Sequence, residues 1–254
     1  MPWAHLLALI VIIALGLWMP SGRAQAAESE EPQQAGLASS ITTGVRVVVE
    51  DAKALVTAPL HMDGEDALKA GGALALVGGM FAADKPIRTL VLSNQSSSGR
   101  DTADVFNTLG SAGTLFAFNA GVALVGWAGE SYGGSSKLKD TGLIAFEAEA
   151  FAVAATFALK ELTGRSRPDK NQGTTNFRPF SGDGSFGSTS TAASFAVATV
   201  FAERYGAPAG IIGYTLATAV AAARVYSDRH FSSDVVAGAL IGWGMGYFFS
   251  QRHA

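Results

Sequence analysis

Arg224-Val225-Tyr226-Ser227-Asp228-Arg229-His230-Phe231-Ser232-Ser233-Asp234 joins two apolar segments of helical length, and the reading of the whole chain turns on it. Its frame is an Arg, a His six residues on, and an Asp four residues after that. A His and an Asp at i and i+4 can hydrogen-bond when a helix starts between them, and the carboxylate then fixes the tautomer that leaves one ring nitrogen free as a nucleophile. Alone, the pair equally fits an exposed His near a helix start. Upstream, Lys160-Glu161-Leu162-Thr163-Gly164-Arg165-Ser166-Arg167-Pro168 places a Lys at a helix end and an Arg-Pro seven residues later, across a Gly break. Between Lys160 and Arg178 five basic residues (Lys160, Arg165, Arg167, Lys170, Arg178) stand against two acids (Glu161, Asp169), a local charge of +3. Such a cluster either complements a helix C-terminus or gathers an anion.

Around these two stretches the chain from about Glu65 onward falls into apolar segments separated by Gly, Ser, Asp and Pro, with no sustained two-residue alternation that would mark a sheet. We therefore expect an all-α domain of six helices: Ala67 to Ala82, Thr102 to Trp127, Thr141 to Leu162, Thr191 to Tyr205, Pro208 to Tyr226 and Asp234 to Ser250. Asp84-Lys85-Pro86 is expected to close the first helix. Arg165 to Ser188 forms one long polar loop, too long to be a mere connector in a compact domain. Gly71-Gly72, Gly78-Gly79 and the series Gly238, Gly242, Gly244, Gly246 read as places of close helix approach.

The chain has 254 residues, 48% hydrophobic and 15% charged, against roughly 25% charged in an average soluble protein, which points to a membrane or to a tight Ala/Gly bundle. A formal charge of −3 excludes a broadly basic nucleic-acid surface, so any anion site must be local. With no cysteine, disulfides, thiolate metal sites and Cys nucleophiles are excluded. Leu6 to Met19 is an apolar run followed by Pro20-Ser21-Gly22 and the small-x-small pattern Ala24-Gln25-Ala26. It predicts a signal peptide over 1–26, with a retained anchor as the alternative because no Lys or Arg precedes the run. Residues 27–64 are then an N-terminal extension, 65–254 the helical domain, and the protein an exported, periplasmic or extracellular one.

Three charge-free stretches reach spanning length: Val105 to Gly129, Tyr205 to Ala223 and Val235 to Gln251. The third helix carries Glu147 and Glu149, each costing about 2.5 to 3.5 kcal/mol at a bilayer centre on insertion scales for Asp-like charges. A soluble bundle and a membrane-embedded one both remain open on this count.

Together, the pattern Lys-x6-Arg-Pro followed by Arg-x5-His-x3-Asp resembles the type 2 phosphatidic acid phosphatase superfamily, which includes bacterial acid phosphatases and vanadium haloperoxidases. The resemblance covers roughly His61 to Ser250 and implies a six-helix bundle of that kind. It further implies a phosphate pocket formed by Lys160, Arg167 and Arg224, with His230 as the nucleophile that becomes a phospho-histidine and Asp234 as its orienting partner. No metal or other cofactor is implied. Three cations aimed at one point supply the positive charge that phosphoryl transfer demands, and the planar Arg fork suits paired phosphate oxygens.

The chain departs from the family in one place. Where the family carries Phe-Pro-Ser-Gly-His-Thr, this sequence reads Phe186-Gly187-Ser188-Thr189-Ser190-Thr191, so the His that protonates the leaving group is replaced by Ser190. Ser188 and the following helix start can still hold an anion, but Ser190 is no general acid near neutral pH. Asp183 is the nearest substitute in sequence. The expected function is hydrolysis of a phosphomonoester or diphosphate, a small molecule or a lipid phosphate, with turnover weakened by the missing acid. The alternative is a degenerate member that binds phosphate-bearing ligands without turnover. Vanadate could occupy the same pocket, but haloperoxidase chemistry relies on the same absent His.

Overall fold

The structure, a computed structural model, describes residues 33–182 and 184–254. The expected signal segment and Asp183 lie outside the described residues. The chain divides into two units, residues 1–69 and 70–254. In the first, a helix α1 (Gln33–Thr57) runs into a 3-10 turn (Ala58–His61). The extension had given no helical expectation.

The second unit is all-α, as expected: among the described residues the only strand-like pairing is an isolated bridge between Arg165 and Phe177. Its elements are α2 (Gly64–Ser93, which begins in the first unit), α3 (Ser97–Leu109), α4 (Ala112–Ser131), α5 (Lys137–Thr163), α6 (Thr189–Tyr205), α7 (Ala207–Tyr226) and α8 (Ser232–Arg252). Two expectations are corrected. Asp84-Lys85-Pro86 does not end a helix, because α2 continues through Pro86 to Ser93. An interior Pro costs about 3 kcal/mol through its missing N–H and its clash with the preceding turn, and here Asp84 and Arg88 on either side of it are tied to distant loops. The expected single helix Thr102 to Trp127 is two. A Cβ on Gly110 would lie 2.2 Å from Val220 Cγ1, and Ser111 caps α4 by accepting the Thr114 N–H at 3.2 Å.

The core is built from small residues of α5 and α6 with one aromatic of α8: Ile144, Ala145, Ala148 and Ala152 against Ala192, Ala196, Val200 and Phe249. Along α8, Gly238, Gly242 and Gly246 repeat every fourth residue, and a Cβ there would fall 2.6, 2.1 and 2.6 Å from the carbonyl oxygens of Ser188, Ala192 and Ala196. This glycine face lets α8 lie directly on the backbone of α6 and of the loop before it. Gly244 turns away, and Gly71, Gly72, Gly78 and Gly79 meet nothing within 4 Å, so the expectation of close approach holds for one face of α8 only.

Among the described residues four helices are long and apolar enough to cross a membrane: Gly64–Ser93, Ala112–Ser131, Lys137–Thr163 and Ala207–Tyr226. Two of these were passed over in sequence, α2 because its charge-free stretch Ala70 to Ala83 is only 14 residues long and α5 because it carries Glu147 and Glu149, whereas the expected span Val235 to Gln251 is not among the four. The acids in the middle of α2 and α5 do not face outward, while Glu65, Asp66 and Glu161 at their ends are exposed. Asp84 and Glu149 are 1% and 0% exposed, and Glu147 lies 3.3 Å from His253 Nε2. Glu149 Oε2 accepts from Asn119 Nδ2 of α4 at 2.9 Å, while Glu149 Oε1 and Asn119 Oδ1 are buried without a donor. Glu149→Gln keeps the shape and places an N–H beside Asn119 Oδ1, so it should leave stability unchanged or raise it by up to about 1 kcal/mol. Glu149→Ala should lower it by about 1–3 kcal/mol. Thermal unfolding in detergent reads both, and a destabilising Glu149→Gln would show that the carboxylate itself is needed.

Candidate functional site

The last turn of α7, the first turn of α8 and the loop from Gly164 to Ser188 meet at one end of the bundle. Asp228 adopts a left-handed backbone (φ 53°), which turns the chain between the two helices and delivers His230 into the interior at 3% exposure. Its Nδ1 lies 2.9 Å from the carbonyl oxygen of Ser185, so an Nδ1–H donates there and Nε2 keeps the lone pair. Asp234 is not that direct acceptor, since its Oδ2 stands 3.7 Å from Nδ1. The carboxylate instead fixes the surroundings. Oδ2 accepts from the Ser185 hydroxyl at 2.6 Å and from the Phe231 N–H at 2.8 Å, and Oδ1 accepts from Arg165 Nη1 at 2.6 Å. Asp234 therefore orients the imidazole chiefly through Ser185, which the sequence reading had not singled out.

Burial pushes the His230 imidazole down to about 4 from its ordinary 6.5, with Arg224 and Arg167 adding to the effect and the Asp234 carboxylate opposing it. Burial pushes the Asp234 carboxyl up, but His230, Arg165 and the Ser185 hydroxyl outweigh it and hold it below its ordinary value. At neutral pH the pair is thus a neutral imidazole beside a carboxylate, the form a nucleophile requires.

Two cations, Arg167 and Arg224, act on this imidazole, and a third, Lys160, belongs to the same charge cluster. Lys160 stands in the last turn of α5, which ends on Gly164 in the left-handed cap conformation (φ 53°). Gly184 packs against the Lys160 stem, where an added Cβ would fall 2.2 Å from Lys160 Cβ. Lys160 is within electrostatic reach of Arg167, Arg224 and Asp234. Arg167 follows in the loop and donates from Nη1 to the Arg229 carbonyl at 3.3 Å. Arg224 donates from Nη1 to Asn107 Oδ1 of α3 at 3.1 Å, and its Nε is buried with no acceptor from the protein. The other basic residues of the loop go elsewhere. Arg165 turns inward to Asp84 and Asp234, and Arg178 donates to Gln172 and Asn176.

The stretch before and at the start of α6 differs from its expected use. Ser188 is fully buried and caps the helix: its Oγ accepts from Thr191 Oγ1 at 2.9 Å, and its own N–H donates to the Asp234 carbonyl at 3.0 Å. Thr189, which stands where the family has Gly, takes the Lys160 ammonium onto its hydroxyl. Sequence reading noted Thr189 only as a mismatch, although a hydroxyl directly before the acid position was a visible signal. Ser190 sits in the first turn of α6, half-buried.

The sequence profile of the PAP2 superfamily matches residues 141–254, which include every cation above and both partners of the His–Asp pair. A lipid A 1-phosphatase of Porphyromonas gingivalis is 36% identical over 94 residues, 35% of this chain and 19% of that protein, so the match spans about a fifth of the relative's length. The fold is similar to that of a transmembrane PAP2-type phosphatidylglycerolphosphate phosphatase from Bacillus subtilis, with a TM-score of 0.56 at 18% identity over 71% of this chain and 94% of that one. It is also similar to LpxE of Aquifex aeolicus, with a TM-score of 0.50 at 22% identity over 66% and 95% of the two chains.

Proposed function

We propose that this chain, whose residues 141–254 match the PAP2 superfamily profile, is a membrane-embedded, metal-independent phosphatase of that superfamily that acts on a lipid phosphate through a phospho-histidine at His230. The observation that supports the reading is a buried imidazole on which Arg167 and Arg224 act, with Lys160 in electrostatic reach of both and the Arg224 Nε left without a protein acceptor. A buried guanidinium N–H without an acceptor is costly, and a phosphate oxygen would satisfy it. The lipid substrate class is supported by the named activities of the two phosphatases above and by the four described helices of spanning length. Signal cleavage over 1–26 and an outward-facing site complete the proposal.

In this reading His230 Nε2 attacks phosphorus in line while the bond to the leaving oxygen breaks. The Nδ1–H stays on the Ser185 carbonyl, and the imidazolium that forms is offset by Asp234. The three cations take up the charge of the equatorial oxygens. The leaving oxygen draws its proton from solvent, because Ser190 cannot give one. Water then attacks the phospho-imidazole, phosphate departs, and the neutral ring returns.

Purified protein in detergent, with a metal chelator present, should release phosphate from an aryl phosphate fastest, from an isoprenoid diphosphate next and from a dialkyl-glycerol phosphate slowest. The order follows leaving-group stability, since a positioned acid is worth about 10²- to 10⁴-fold. No release from any of the three would defeat the reading. The engagement of Lys160 by Thr189 favours a second one, a ligand-binding member without turnover. A phospho-histidine that accumulates on His230 without steady-state release would establish it.

A further inference from the structure

We propose that Asp84, on α2 and outside the residues matched by the family profile, is a positioning residue for the His230 nucleophile, acting on Asp234 through Arg165 and Ser233. The inference rests on the phospho-histidine reading above. Asp84 is 1% exposed and both its oxygens are fully used. Oδ1 accepts from the Ser232 hydroxyl at 2.7 Å and the Ser233 N–H at 2.8 Å, and Oδ2 accepts from the Ser233 hydroxyl at 2.6 Å and from Arg165 Nη2 at 2.7 Å. Arg165, itself 0% exposed, bridges to the other carboxylate, with Nη1 on Asp234 Oδ1 at 2.6 Å. Its plane is held by Phe81 and Phe231, whose ring centroids lie 4.4 and 4.3 Å away.

Two carboxylates around one guanidinium leave the buried cluster one negative charge in excess. A scaffold role alone would be served by a neutral pair, and a third buried charge is costly unless something offsets it. The attack of His230 on phosphorus puts a positive charge on the imidazole, and the excess carboxylate is placed to balance that charge. The same helix also grips the other flank of the turn. One helical turn beyond Asp84, Arg88 donates from Nε and Nη2 to the two oxygens of Asp228, both at 2.7 Å. A single turn of α2 thus holds the segments before and after His230. Arg167 and Arg224 also act on the imidazole, and their charge works against the imidazolium.

The test uses the full chain in detergent, with Asp84→Asn, Asp84→Glu and Ser233→Ala. Asp84→Asn should lower kcat for an aryl phosphate by about 10- to 100-fold, as loss of an outer partner of a working imidazole does, with KM changed less than about twofold because no phosphate-binding cation touches Asp84. Asp84→Glu should recover part of the loss. Nitrogen-15 spectra of the imidazoles, with the His230 signal identified by its disappearance in His230→Ala, should show the Nδ1–H form in the unsubstituted protein and a tautomer mixture in Asp84→Asn. Should Asp84→Asn fail to fold, Ser233→Ala cuts the same relay while leaving the Asp84–Arg165 pair, and should show the same tautomer mixing with a smaller loss of kcat. Unchanged kcat and tautomer in a folded variant overturn the proposal, as does a loss confined to KM. If the unsubstituted protein releases no phosphate, the functional reading falls, and the tautomer spectra alone then decide the role of Asp84.

Discussion

His230→Ala is expected to lower phosphate release by about 10⁴-fold or more on every substrate, because no other described side chain at the site offers a free nucleophilic nitrogen. Binding should survive. Lys160, Arg167 and Arg224 are positioned by Thr189, the Arg229 carbonyl and Asn107, none of which depends on the imidazole, so inorganic phosphate should bind the variant within about threefold of its original affinity. The pH profile separates this mechanism from one that merely needs a histidine nearby. The buried imidazole titrates at about 4, not 6.5, so the acid limb of kcat/KM should fall near pH 4, where protonation removes the Nε2 lone pair. Folding adds a second consequence with the same direction. Between 6.5 and 4 the unfolded chain binds a proton at this position that the folded chain refuses, so stability falls as pH is lowered through that window. The alanine variant should lose that dependence. A limb near 6.5 would place the working imidazole in a more open setting than the one described.

The part of this site legible in sequence is the part fixed by spacing. Lys160 at a helix end, Arg167 seven residues on, and Arg224, His230 and Asp234 across the α7–α8 turn were joined into one site by the resemblance of their two motifs to a known family, while periodicity placed them only at helix ends. What spacing could not reveal is which neighbour each polar group selects. Asp234 was expected to hold His230 directly, but Arg165, Ser185 and the Phe231 N–H compete for the same two oxygens, and the imidazole is left to a backbone carbonyl. Asp84 looked like part of a helix stop because Asp-Lys-Pro is a common one, and only its tertiary partners make it an interior residue. The acids of α5 weighed against a membrane span for a related reason. A charge is costly in lipid, but hydropathy along one helix does not say that Glu149 faces Asn119. In each case local propensity was read correctly and a long-range contact overrode it.

Ser190→His should raise turnover of alkyl phosphates by about 10²-fold while changing aryl phosphate turnover less than about tenfold. The difference arises because an alkoxide must be protonated as it leaves, whereas an aryl oxide departs as a stable anion. The position supports this chemistry. Residue 190 lies in the first turn of α6, directly after Thr189, whose hydroxyl meets the Lys160 ammonium, so a side chain there is one residue from the phosphate cations. An imidazolium so close to a helix N-terminus is a strong acid, since the dipole disfavours its charge. Thr189→Gly should act on a separate quantity. Removing the hydroxyl releases Lys160 to the phosphate, which should lower KM, and the double variant should combine both gains. If the alkyl-to-aryl ratio stays fixed in Ser190→His, residue 190 does not face the leaving group, and the proton donor must be sought elsewhere in the loop between Gly164 and Ser188.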